Sequence, residues 1–418
     1  MERLPGFRDF YPEPLPHTDV WSADARQFIF DRGRATARRY GFREYDGPPL
    51  EPLELFTTKS GDEIVGQLYN FLDKGERAVA LRPEITPTLA RMVAAHERNY
   101  KKPVKWFAIP QLFRYERQQK GRLREHFQFN ADLIGESDPA ADAELIALLI
   151  DTLRSFGLTA EDFVIRLSSR NAWQEFYQSE KRKTESGNAS AHEYEFFQAI
   201  DKLERSTPEE NEKKLAALGF TLESVNRFIA SGRPTAELEK ILQNLAARGL
   251  RDFAKVDYRV IRGLAYYTGV VFEAFDRKGE FRAIAGGGRY DGLVKLISGG
   301  KVDLPALGFG MGDVVLLELL KARGLLPRFD TTTDVFVLIE DENLRPQSLR
   351  LVHDLRAAGY AVEYPLTPAK PDKQFKRAQE MKVAYTARLE NDAYVRIRNL
   401  KDRKEIVAGV AGAANHLG

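Results

Sequence analysis

The chain has 418 residues, 43% apolar and 30% charged, enough material for about two to four domains with a sizeable core. Its 63 Lys and Arg against 61 Asp and Glu leave a formal charge of +2, which excludes a wholesale polycation but not a local basic surface. No cysteine is present, so disulfides, thiolate metal sites, a Cys nucleophile and CxxC redox chemistry are excluded, and the six histidines form no close pair that would mark a dedicated zinc site. No apolar run reaches the ~18–20 residues needed to span a bilayer. The opening Met1-Glu2-Arg3-Leu4-Pro5-Gly6 leads into charge and aromatics rather than a signal segment, so a cytoplasmic location is expected.

Along the chain, Trp21, Ala25, Phe28, Ile29 and Ala35 fall at helical spacing and predict a helix over 18–40, with Gly41 as its left-handed cap. Asp46-Gly47-Pro48-Pro49 predicts a turn or extended crossing. A helix is expected within 84–99, with Pro87 in its first turn. Segments 104–116 and 124–134 read as antiparallel strands joined by a polar, basic loop. Asp138 and Pro139 then open a helix with a stripe of Leu145, Ile146, Leu149, Ile150 and Leu153. These elements make 1–157 the first part of one domain. Residues 158–250 read as a predominantly helical insertion, and 251–327 return to the first domain with strands at 256–262 and 269–275 and a helix over 312–322. Past a linker at Thr331-Thr332-Thr333, strands at 334–340, 360–364 and 394–399 alternate with helices at 345–358 and 373–381. That alternation predicts a separate α/β domain over 331–418 with a mixed or mainly parallel sheet.

Three segments carry chemistry. Arg114-Tyr115-Glu116-Arg117 places Arg114 and Glu116 on one strand face, with Arg122 and Arg124 beyond the loop; planar guanidinium groups suit polyphosphate, while solvated charges on an exposed hairpin are the competing reading. Arg262-Gly263-Leu264-Ala265-Tyr266-Tyr267-Thr268-Gly269 sets an arginine beside paired tyrosines, fit for a carboxylate and a heterocycle or for a plain cation–aromatic turn. Gly286-Gly287-Gly288-Arg289-Tyr290-Asp291-Gly292 lies between expected strands and matches neither common nucleotide-loop fingerprint. Farther on, the repeated glycines of Gly308-Phe309-Gly310-Met311-Gly312 suggest a ligand or packing floor, with Met311 filling core.

In this order the segments resemble the histidyl-tRNA synthetase family of class II aminoacyl-tRNA synthetases, over nearly the whole chain. Leu4-Pro5-Gly6-Phe7-Arg8-Asp9-Phe10 resembles the family's opening, and Gly41 through Glu51 its first motif, with Pro48 as the motif proline. Leu81-Arg82-Pro83-Glu84-Ile85-Thr86 resembles the substrate-side segment, Phe113 through Phe129 the second motif, and the Arg262 and Gly286 segments the histidine signature. The resemblance implies an α/β and α+β multidomain fold: an antiparallel catalytic sheet with a helical insertion and a C-terminal mixed α/β anticodon-binding domain. It further implies a homodimer built on the first motif, Mg²⁺-dependent formation of histidyl-adenylate from ATP and L-histidine, and transfer of histidine to its tRNA. By the same resemblance Arg114 and Arg262 are catalytic, and Arg114, Glu116 and Arg122 bind ATP. Glu84, Thr86, Gln128, Asp132, Tyr266 and Tyr267 surround histidine, with Asp132 placed to meet the substrate ammonium. Metal ligands are not assigned.

Two positions depart from the family pattern. Ala265 stands where an aspartate is usual, and Val315 where the third motif carries its ATP-binding arginine. Valine cannot neutralise phosphate, so a substitute cation is expected, with Arg122 and Arg289 the candidates. The runner-up readings are a synthetase-like regulatory subunit of histidine biosynthesis, a relative that usually lacks the terminal domain this chain keeps, or another tRNA-binding protein with weakened adenylation activity. Residues 370–404 carry 11 Lys or Arg against five Asp or Glu, a local surplus of six that suits tRNA phosphates.

Overall fold

The computed structural model describes residues 2–17, 20–60, 66–115, 123–184, 193–203, 206–261, 267–329 and 333–417. Residues 1–9 and 25–326 form one compact unit; residues 10–24 and 327–418 form a second.

The first unit is organised by Glu125–Ile134, a ten-residue strand whose second half is buried throughout. Among the described residues it belongs to a nine-stranded sheet. On one side Ala306–Gly312, Ala285–Arg289, Val270–Asp276 and Phe163–Ser169 follow in succession, all antiparallel, and Ala254–Val256 closes that edge in parallel. On the other side Val104–Ala108 pairs antiparallel, with Gln111–Phe113 capping the strand's beginning and Arg43–Glu44 at the far edge. A smaller antiparallel sheet of Leu50–Pro52, Ala78–Leu81 and Asn70–Leu72 leads into the helix Thr86–His96.

Helices cover the large sheet. In Ala23–Arg39 the buried face is Ala25, Ile29, Gly33 and Ala37, spaced four apart, together with Phe30 and Thr36. This helix starts later than the spacing predicts: Trp21 belongs to a short strand, and Ala35 is exposed. Asp138 accepts a hydrogen bond from the Ala140 amide at 2.8 Å and caps Pro139–Arg154. Its predicted stripe is buried, but so are Ala141, Ala143, Ala147 and Leu148, because a second helix, Ala236–Ala247, packs on it from outside. Fully burying each large aliphatic side chain contributes ~1.5–3 kcal/mol, so this helix is a main source of the unit's cohesion.

Three expectations need correction. Residues 163–169, placed in the helical segment 158–250 by the sequence, form an interior strand, since Phe163, Val164, Ile165 and Leu167 are all buried between neighbours. Helical character begins at Arg170–Thr184 and continues through Glu193–Asp201, Pro208–Ala217 and Leu222–Ser231, gathered on the rings of Trp173, Tyr177, Phe196, Phe220 and Phe228. The strand predicted at 256–262 stops at Val256, where Asp257 turns the chain by accepting from the Arg259 amide and guanidinium. The glycines at 286–288 form a strand rather than a loop: a Cβ on Gly288 would lie 2.7 Å from the Val270 carbonyl oxygen, so only glycine lets the neighbouring strands close.

In the second unit the sheet is mixed. Val335–Leu338 lies parallel to Val362–Glu363 and to Tyr385–Leu389; Tyr394–Asn399 and Glu405–Gly409 then add antiparallel. Arg345–Ala357 and Pro371–Glu380 supply the covering helices, with Val335, Val337, Leu351, Leu355 and Ile397 in the core. The alternation was legible, but Tyr385–Leu389 and Glu405–Gly409 were missed by sequence reading.

Candidate active site

The site grows from a period-two pattern. Along Glu125–Ile134, the side chains of His126, Gln128, Asn130 and Asp132 fall on one face, and Phe127, Phe129 and Ala131 on the other. The adjacent strand answers in register: Gly308 pairs with Asp132, Gly310 with Asn130, and Gly312 with Gln128. A Cβ on Gly308 would collide with the Asp132 carboxylate, and one on Gly310 would stand 2.6 Å from the Gln128 amide carbon. The glycine stripe thus clears the floor on which the polar stripe stands. On the opposite face Phe129 packs against Phe309 and Phe107, with ring centres 5.8 Å apart in each pair, which ties its strand to both neighbours.

Two cavities open on this floor. The smaller, about 50 Å³, is lined by Glu84, Thr86, Arg114, Gln128, Asp132 and Tyr267 together with Asn130, Tyr290, Phe309 and glycine backbone. The larger, about 270 Å³, shares Arg114, Gln128, Gly286 and Gly310 and extends past His126 and Glu273 to Val314 and Val315. Arg114 stands where they meet. Its Nε donates to the Pro83 carbonyl at 3.1 Å, and its amide to the Arg124 carbonyl at 2.9 Å, so the guanidinium is fixed against the segment that carries Glu84. That segment is held in turn by Arg82, buried and donating to Gln111 and Gly47 carbonyls and to Asp46.

Asp132 sits at the closed end. It is 3% exposed, and its Oδ1 accepts the Tyr290 hydroxyl proton at 2.6 Å. Its Oδ2 is buried with no hydrogen-bond partner among the described residues. Burial pushes its carboxyl up to about 7, against the opposing pull of the Tyr290 hydrogen bond. A buried acceptor of this kind costs stability unless a donor arrives, and a ligand N–H or ammonium is such a donor.

Six of the residues expected at the site therefore line one cavity: Glu84, Thr86, Arg114, Gln128, Asp132 and Tyr267. Glu116, Arg122, Arg262 and Tyr266 lie outside the described residues. Sequence reading missed His126 and Glu273, and it named Tyr290 only within the glycine segment, without a role; strand alternation from Gln128 back to His126 was the signal for one of them. Arg289, expected as a candidate for the missing cation, is not available. Its side chain is 4% exposed, ion-paired to Asp142 at 2.5 Å and bonded to the Glu136 and Asp138 carbonyls. Its charge serves the fold, while Val315 does line the larger cavity as the departure from the family pattern implied. Among the described residues no three His, Cys, Asp or Glu side chains gather to hold a metal.

Comparison with known proteins agrees with this layout. The profile of the histidyl-tRNA synthetase family matches residues 19–313, and that of an anticodon-binding domain matches 334–413. A histidine–tRNA ligase of Opitutus terrae is 48% identical over 402 residues, covering 91% of this chain and 88% of that one. The chloroplastic/mitochondrial histidine–tRNA ligase of Arabidopsis thaliana is 38% identical, covering 89% and 77%. The fold is shared with histidyl-tRNA synthetase structures from Nostoc, at a TM-score of 0.76 with 22% identity over 98% and 99% of the two chains, and from S. aureus, at 0.72 with 21% identity over the full length of both. With a matching profile over most of its length, a second over its C-terminal unit and a close ligase relative across nine-tenths of it, the chain belongs to the histidyl-tRNA synthetase family.

Proposed function

We propose that this chain is a histidine–tRNA ligase that joins L-histidine to ATP as histidyl-adenylate and passes histidine to its tRNA. The observation that carries the reading is the pair of cavities meeting at Arg114. An aminoacyl-adenylate has an amino acid at one end, a nucleotide at the other and a carboxylate–phosphate junction between them. A fixed guanidinium at the junction can contact both oxyanions and stabilise charge as the carboxylate attacks the α-phosphorus.

In the smaller cavity, the unpaired Asp132 Oδ2 is assigned to an imidazole N–H, with Tyr290 orienting the carboxylate and Tyr267 closing the wall. The ammonium is then left to Glu84, Thr86 and Gln128 nearer the junction. This revises the sequence reading that gave Asp132 the ammonium, because Asp132 is the most buried of these polar groups. Arg262 and Tyr266 keep the roles that the resemblance implies, activation chemistry and imidazole contact, and Glu116 and Arg122 keep ATP. The larger cavity takes the nucleotide, against the apolar surface of Val314 and Val315 and the ring of His126. Magnesium enters with ATP as part of the substrate, and Glu273 is the described carboxylate lining that cavity.

The C-terminal unit is assigned to the tRNA anticodon, the first-motif region to a homodimer, and the reaction to the cytoplasm. Purified protein should catalyse pyrophosphate exchange with ATP that depends on histidine and on no other standard amino acid. A folded, magnesium-replete sample without exchange would sink this reading. Solution mass across a dilution series checks the dimer; a fully active monomer would reject it.

A further inference from the structure

Behind the larger cavity lies a buried ionic cluster that the chemistry above does not use. Arg8 comes from the arm at residues 2–9, and its side chain is 1% exposed. Its Nε donates to Glu125 at 2.6 Å and its Nη1 to Asp313 at 2.8 Å. Each acid has a second tie. Glu125 accepts from the Gln111 amide at 3.0 Å, and Asp313 accepts from the Phe127 amide at 3.1 Å. The arm itself is seated: the Gly6 carbonyl accepts from the Arg124 amide at 3.0 Å, and Phe7 packs on Phe113.

The two acids are sequence neighbours of the cavity wall. Glu125 precedes His126, and Asp313 stands between Gly312 and Val314. One guanidinium thus joins the strand that carries His126 and Gln128 to the first turn of the helix that carries Val314 and Val315. We infer that Arg8 is a positioning residue for the nucleotide, setting the distance between these two walls and cancelling carboxylate charge behind them. Without it, two buried carboxylates would face the site that takes a polyanion, and the walls would lose their shared tie. Arg26 interacts electrostatically with both acids and with Arg8, and its guanidinium lies 4.7 Å from the Phe127 ring centre.

The inference rests on reading the larger cavity as the nucleotide site, and the experiment separates the two. Wild-type exchange activity with saturable ATP tests the site reading; the variants test Arg8. Arg8→Lys keeps the charge but cannot bridge with a planar fork. It should raise the KM for ATP about tenfold, the loss expected for one charge-assisted bond, while the KM for histidine stays within about twofold. The paired variant Arg8→Met with Asp313→Asn keeps the cluster's net charge and removes the bridge. It leaves Glu125 with the Gln111 bond alone and so melts below wild type, yet it should show the same selective rise for ATP, and it decides the matter if Arg8→Lys does not fold. An unchanged KM for ATP in a folded variant, or equal losses for ATP and histidine, overturns the inference.

Discussion

The two ends of the candidate site are built differently. At the amino-acid end the floor is strand: Gln128, Asn130 and Asp132 stand on it against the glycines of the next strand, with Glu84, Arg114 and the tyrosines in the segments beside it. At the nucleotide end the wall is a helix start bearing two valines, and a departure from the family pattern is absorbed there without disturbing the sheet. The contrast teaches where specificity and chemistry are separable. A strand stripe in register with a glycine stripe tolerates little change, whereas a helix turn facing solvent-sized space can exchange a cation for an apolar contact.

The largest effect should come from the group common to both ends. Arg114→Ala should lower kcat/KM for exchange by roughly 10³-fold, the scale of losing a preorganised donor at a developing charge, with ATP and histidine affected alike. An effect on one substrate alone would break the picture of a shared junction. Next, Asp132→Asn should raise the KM for histidine by roughly 10²-fold while ATP is little affected, since a site built around a polar contact discriminates strongly when it is lost.

Asp132 also sets a pH test. Its carboxyl is held near 7 in the free protein, so it is protonated below that value and a poor acceptor for the substrate. The KM for histidine should therefore fall as pH rises through about 7, beyond what substrate titration explains. For stability the sign is opposite. Between the ordinary carboxylate value and about 7 the folded form keeps a proton that the unfolded form has lost, so stability declines as pH rises through that window. Asp132→Asn should flatten both dependences; a variant with wild-type pH profiles would contradict the assignment.

At the other end Val315→Arg should lower the KM for ATP by about tenfold if the cavity has room for the missing cation, leaving histidine unchanged. A rise instead would mean that the valine wall has become part of nucleotide recognition. The smallest effect is expected in the other unit. Lys401→Glu with Arg403→Glu should reduce tRNA charging several-fold at low salt, less at high salt, and leave exchange untouched. Equal loss of exchange would overturn the division of labour.

How much of this was legible depended on distance along the chain. His126, Gln128 and Asp132 are readable from alternation alone, and the helix at Pro139 from its cap and stripe. Phe163–Ser169 was not, because it is buried on both faces, so no alternation marks it, and charged helical sequence follows at once. Tyr385–Leu389 is too short to announce itself, and its place is fixed by a parallel partner some 50 residues earlier. The misreading of Arg289 has the same root. Its partner, Asp142, is 147 residues away, and no local pattern distinguishes an arginine committed to the core from one free to meet phosphate. Glycine misled in the opposite direction: three in a row look like a loop until the carbonyls on either side are known.

That glycine floor has a consequence for anyone who would redesign the enzyme to accept a different amino acid. Beneath the substrate the boundary is main chain, and Gly308 and Gly310 already lie against Asp132 and Gln128. Substitution there can only take space away, beginning with a single methyl group. New room must therefore come from side chains, at Tyr267, Tyr290 or Asp132 itself, and any enlarged substrate would have to be selected by shortening those side chains rather than by reshaping the sheet.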